Sequence, residues 1–187
     1  LFDEDFLEKL RELNLPAVGV GTGYDSIDCV YPDIAKGVRL QVEELVRNGA
    51  KRIAMVNCPP EVANAKLRDK GWKQAVSNLG EQLEETWEVQ CRTNTGEGGY
   101  LATKELWESG ARPDGIATAH EAIALGALRY FHEQGIRVPE DVAVVGVDNL
   151  CRTFPYLTPV DSLGETGDSL YCISYNKLVG MLKKTDE

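Results

Sequence analysis

A parallel α/β sheet flanked by helices on both faces is the fold this sequence predicts, on three observations. Apolar periodicity alternates between strand-like and helix-like segments along nearly all of the 187 residues. The run Val142-Ala143-Val144-Val145-Gly146-Val147 is apolar on both faces, the pattern of a strand covered on two sides. Helical segments end at glycine or at a proline-containing stop such as Asn14-Leu15-Pro16, where a left-handed cap or a fixed φ breaks the helix. Such alternation requires parallel pairing with right-handed crossovers.

In chain order, Phe6, Leu7 and Leu10 stand at helical spacing within 3–13, and 17–20 reads as a short buried strand. Residues 21–31 form a turn-rich connection. After Pro32-Asp33, which suit a helix N-terminus, Ile34, Val38, Val42, Leu45 and Val46 make one apolar stripe ending at Asn48-Gly49. Strands are predicted at 52–56, 86–91, 115–119, 142–147 and 158–163. Helices are predicted at 61–79, 97–109, 121–134 and 166–183, with an irregular aromatic stretch at 150–157.

Composition excludes several classes. With 43% hydrophobic and 27% charged residues and 8 prolines, the chain is globular and not disordered. Its apolar runs are far shorter than the roughly 20 residues of a membrane span. A net charge of -10 repels a polyanion, so these residues alone are not expected to bind DNA or RNA. The five cysteines form no C-x-x-C pair and read as reduced, buried fillers in a cytoplasmic protein. The chain opens at Leu1 without methionine, and 1–10 is too charged for a signal peptide, so a fragment is expected.

In an open parallel sheet, ligands bind beyond the carboxyl ends of the strands, where several loops converge. The residues just past the predicted strands are Asn57 and Cys58, 92–95, His120 and Glu121, and Asp148 and Asn149. Such a set suits a hydroxylated small molecule, because each unpaired buried polar group costs about 1–3 kcal/mol that a matching ligand relieves. Plainer roles stand beside these: Asp148 as a turn former, and one of Thr93, Asn94 and Thr95 as a helix cap. Neither of the two histidines has metal-ligand spacing. The Gly21-Thr22-Gly23 turn lacks the rest of a dinucleotide fingerprint. No catalytic residue, metal or cofactor is assigned.

The stretch Val138-Pro139-Glu140-Asp141-Val142 through Gly146-Val147-Asp148-Asn149, followed by Leu157-Thr158-Pro159-Val160, resembles the "vP-D-vvGfDd … lTtv" signature of the LacI/GalR family of bacterial transcription regulators. Residues 33–37 and 49–56 are similar to the family's "D…GG…hLi-GHrrIafi" stretch, with Ala50 in place of the usual histidine. Arg68-Asp69-Lys70-Gly71-Trp72 matches "R-GF", and residues 97–100 and 123–128 fit the helices that follow. The resemblance covers almost the whole chain.

It implies a type I periplasmic-binding-protein-like fold, with one complete lobe and part of the other, the complete fold clamping a sugar-like or nucleobase effector between two lobes. Residues 32–157 would be the C-terminal lobe, with 1–31 and 158–187 a partial N-terminal lobe and crossover strands. Effector contact passes to Arg68 and Asp148, with Asn94, His120 and Asn149 beside them. A guanidinium fork and a carboxylate supply charge-assisted bonds to vicinal hydroxyls or a heterocycle. His120-Glu121 replaces the family's "ND" pair, Asn149 replaces the second aspartate of "GfDd", and the stacking aromatic is replaced near Asn94.

The family's DNA-reading helix-turn-helix has no counterpart here, so operator contact is expected only through an absent N-terminal domain. The implied function is the effector-sensing, homodimerising core of a cytoplasmic repressor, with no catalysis and no membrane. A sugar-binding protein of a transport system shares the fold and is the alternative. A small enzyme built on His120, Glu121 and Asp148 is the third class.

Overall fold

The computed structural model describes residues 4–21, 26–62, 64–147 and 158–159. They fall into two compact units that part at Pro32 and Asp33. The first holds helix α1 (Glu4–Glu12) and two short strands, β1 (Val18–Val20) and β2 (Asp28–Val30). On α1, Leu7 is buried while the charged residues around it are exposed. The strands pair in parallel, Val18 opposite Asp28 and Val20 opposite Val30. β2 lies inside the segment read from sequence as a turn-rich connection. Three residues led by an aspartate carry no period of their own, and pairing with β1 is what makes them a strand.

The second unit runs α2 (Ile34–Arg47), β3 (Arg52–Asn57), α3 (Ala65–Leu79), β4 (Glu85–Gln90), α4 (Gly96–Glu108), β5 (Gly115–Thr118), α5 (Glu121–Glu133), β6 (Ala143–Gly146) and β7 (Thr158–Pro159). All five strands pair in parallel in the order β4-β3-β5-β6-β7. A parallel α/β sheet is therefore observed as predicted. Helix α3 begins later than the expected 61 because Pro59 and Val62 carbonyls close successive turns on Val62 and Ala65. The segments predicted at 150–157 and 166–183 lie outside the described residues.

Handedness places the helices. The β3–α3–β4 crossover steps outward from β3, whereas β4–α4–β5 steps back past it, so right-handed connections put α3 and α4 on opposite faces. Consistently, α2 packs on α3 and α4 packs on α5. β3 is consequently buried from Ile53 to Asn57. The core joins Ile53, Met55, Ile116, Ile123, Phe131 and Val142, each essentially inaccessible. Burying one such side chain is worth about 1.5–3 kcal/mol.

Local chemistry sets the helix ends. The Asp33 carboxylate accepts the Lys36 N–H at 2.9 Å, and Thr95 Oγ1 accepts the Gly98 N–H at 3.2 Å. These caps satisfy donors that a first helical turn leaves unpaired. On the core-facing side of α2, Gln41 is wholly buried, and its amide nitrogen donates to Thr118 O at 2.9 Å and Val145 O at 3.1 Å. This amide ties α2 to the ends of β5 and β6.

Candidate functional site

Two close helix approaches bring the site together. A Cβ at Gly99 on α4 would lie 2.3 Å from Ile123 O, and one at Gly126 on α5 would lie 2.0 Å from Gly96 O. Only glycine permits such backbone contact. The loops entering α4 and α5 are thereby drawn to one place, although β3 separates the strands that precede them. There, His120 Nε2 and Asn94 Oδ1 lie 2.6 Å apart, bridging the loop after β4 and the loop after β5.

The loop after β3 completes the edge. Asn57 is fully buried, and its Oδ1 accepts the Cys58 N–H at 2.9 Å while its Nδ2 donates to Ala65 O at 3.3 Å. One asparagine thus fastens the strand end to the start of α3. From the first turn of α3, Arg68 Nη1 donates to Cys58 Sγ at 3.3 Å, turning the guanidinium back toward the sheet edge. At the end of β4, the Cys91 N–H donates to Asn57 O at 2.8 Å. Burial, and then the charge of Cys58, push the Cys91 thiol up to about 12.

Of the five residues expected to touch an effector, Arg68, Asn94 and His120 are described. His120 and Asn94 meet directly, and Arg68, in the first turn of α3, reaches Cys58 on the loop after β3 at the same carboxyl edge. Asp148 and Asn149 lie outside the described residues. Thr95 is the cap of α4, and Thr93 Oγ1 bonds Thr95 Oγ1 at 2.9 Å. The effector assignment taken from the sequence omitted Asn57 and Glu121. Glu121, the first residue of α5, is 3% exposed, and neither carboxylate oxygen has a hydrogen-bond partner among the described residues. Its position immediately after β5 was the available signal.

An open groove of about 730 Å³ between β4 and α4 is lined by Gln90, Arg92, Thr93, Leu101 and Lys104, among others. It excludes Arg68, Asn94 and His120. Among the described residues, no group of three or more metal-ligating side chains forms a cluster. No helix there is long and apolar enough to cross a membrane.

Residues 42–162 match the periplasmic binding protein-like domain family. The HTH-type transcriptional repressor PurR of Escherichia coli O1:K1 is 30% identical over 169 residues, covering 86% of this chain and 49% of that protein. The chain thus spans about half the length of the curated relatives it matches. A LacI-family transcriptional regulator from Burkholderia phymatum superposes with a TM-score of 0.74 at 28% identity, over 87% of this chain and 61% of that one. A LacI-family regulator from Enterococcus faecium, solved with bound ribose, gives a TM-score of 0.77 at 24% identity, over 97% and 67% of the respective chains.

Proposed function

The chain belongs to the periplasmic-binding-protein-like family, in its LacI/GalR branch, and from that premise we propose that it is the effector-sensing core of a bacterial transcriptional repressor. The effector is a small polar metabolite, a sugar or a nucleobase, bound at the carboxyl edge of the five-stranded sheet. Arg68 and Asp148 supply charged bonds to it, and Asn94, His120 and Asn149 supply neutral ones. The observation that carries this reading is the junction of His120 and Asn94 at 2.6 Å, at the same edge as the loop after β3 that Arg68 of α3 contacts. Ligands of open α/β sheets bind at such a crevice, where adjacent strands send their helices to opposite faces.

The site senses and does not transform its ligand. Effector binding shifts a cytoplasmic homodimer between DNA-competent and incompetent states, and operator contact belongs to a separate helix-turn-helix domain. Thermodynamic linkage requires that the effector bind those states with different affinities.

Calorimetry on the full-length gene product, with D-ribose and a panel of hexoses and purine bases, tests the proposal. One compound is expected to bind, and Arg68→Ala and Asp148→Ala are each expected to weaken it by about 1–3 kcal/mol through loss of a charge-assisted bond. Binding that survives both substitutions unchanged overturns the assignment. Salt-sensitive duplex binding by these 187 residues alone would contradict the separation of sensing from DNA reading.

A further inference from the structure

Two thiols absent from that reading stand side by side at the same edge. Asn57 on β3 is in register with Gln90 on β4, so the next residue of each strand brings Cys58 opposite Cys91. The Cys91 N–H to Asn57 O bond continues the pairing one step past the strands. Neighbouring parallel strands run roughly 4.8 Å apart. That spacing falls within the roughly 4.4–6.8 Å Cα separation a disulfide requires. Residues at one register position also point to one face of the sheet.

Both cysteines are buried, at 0% and 3% exposure, as is Pro59 beside Cys58. Pro60 and Glu61 beyond Cys58, and Arg92 and Thr93 beyond Cys91, are exposed. Cys58 Sγ also accepts from the Arg68 guanidinium at 3.3 Å, which sets a cationic donor beside that sulfur. Among the described residues Cys91 has no such donor and keeps its proton, burial pushing its thiol up to about 12. The two sulfurs therefore differ in role.

We infer that Cys58 and Cys91 form a redox dithiol that a hydroperoxide closes to a disulfide. Cys58 sulfur attacks one peroxide oxygen and the O–O bond breaks. The departing hydroxide takes up the Cys58 proton and leaves as water, giving a sulfenic acid. Cys91 sulfur then attacks Cys58 sulfur and the S–O bond breaks. The second hydroxide leaves as water with the Cys91 proton. The thiols together lose two electrons and two protons, and hydrogen peroxide gains both. Closure also removes the thiol hydrogen that Cys58 Sγ directs to Asn57 Oδ1 at 3.5 Å. The inference stands on the register and the guanidinium contact, and it does not depend on which effector the edge binds.

The test treats the reduced wild-type chain with hydrogen peroxide, alkylates the remaining thiols in denaturant and maps peptides without reduction. A peptide pair linked through Cys58 and Cys91, lighter by two hydrogens and separated by dithiothreitol, is the expected result. Separate alkylation of both cysteines under peroxide that oxidises a free small-molecule thiol overturns the inference, as does recovery of each as an unlinked sulfinic acid. This map needs no variant and so does not hang on the folding of one. Arg68→Gln is expected to slow closure, and an unchanged rate overturns the choice of Cys58 as the attacking sulfur.

Discussion

His120 Nε2 and Asn94 Oδ1 meet at 2.6 Å across the end of β3, joining two loops whose own strands are not neighbours. The contact couples the starts of α4 and α5, so its loss is expected to loosen both loops. His120→Ala and Asn94→Ala, combined in a double-mutant cycle by urea unfolding, should show a coupling of about 0.5–1.5 kcal/mol, the net worth of one hydrogen bond. Additive single effects would place the two side chains apart in solution.

The approach of α4 to α5 is what makes that contact possible, and it rests on Gly99 and Gly126. Gly126→Ala puts a methyl 2.0 Å from Gly96 O, and because that neighbour is backbone the helices must separate. A cost of about 1–3 kcal/mol, or more, is expected from such overpacking. The same substitution at Gly110, where φ is +94 and nothing lies within 4 Å, strains only the local turn. Chemical denaturation of Gly126→Ala with a readout from Trp107, which packs edge-on against Phe131 of α5, measures the difference.

These glycines show where the sequence was legible and where it was not. The buried strand at 143–146 and the α2 stripe were readable, because apolar period reports directly on which faces meet a core. So was the edge on which Asn57, Asn94 and His120 lie, because topology alone assigns ligands to strand ends. That Asn94 would touch His120 was not readable, since a helix–helix approach decides it. β2 escaped because Asp28–Val30 becomes a strand only through its partner. Glu121 was named at the strand end and in the enzyme alternative but not in the effector set, and its burial, which the sequence does not show, is what singles it out.

Gln41 gives a prediction on stability alone. Its amide nitrogen serves two carbonyls of adjacent strands from a wholly buried position. Gln41→Leu fills similar space but removes the amide donor from both Thr118 O and Val145 O, the latter keeping the Thr118 hydroxyl at 3.0 Å. A loss of about 1–3 kcal/mol is expected in urea or thermal unfolding, with the residues proposed to hold an effector untouched.

Acid dependence follows from the turn before β6. The Arg137 guanidinium, and then its backbone N–H, hold the Asp141 carboxyl down to about 2 from an ordinary 3.8. A carboxyl depressed in the folded state adds stability above its unfolded value, and this is lost as pH falls through the folded one. Asp141→Asn is therefore expected to be less stable than the parent at neutral pH. The difference should shrink as pH drops from 3.8 toward about 2. Urea midpoints measured across that interval check it, and a difference that grows on acidification would reverse the sign.

Glu121 sets stability against recognition at one residue. The residue is 3% exposed, and its carboxyl oxygens accept no hydrogen bond from the described residues. A buried polar group left unpaired costs about 1–3 kcal/mol, a cost an effector hydroxyl or amide would relieve on binding. Glu121→Met keeps much of the volume and removes that cost. The variant should therefore unfold at higher urea than the parent when no effector is present, and bind the effector identified by calorimetry more weakly. Reduced stability with unchanged affinity would show instead that the carboxylate serves the helix and not the ligand.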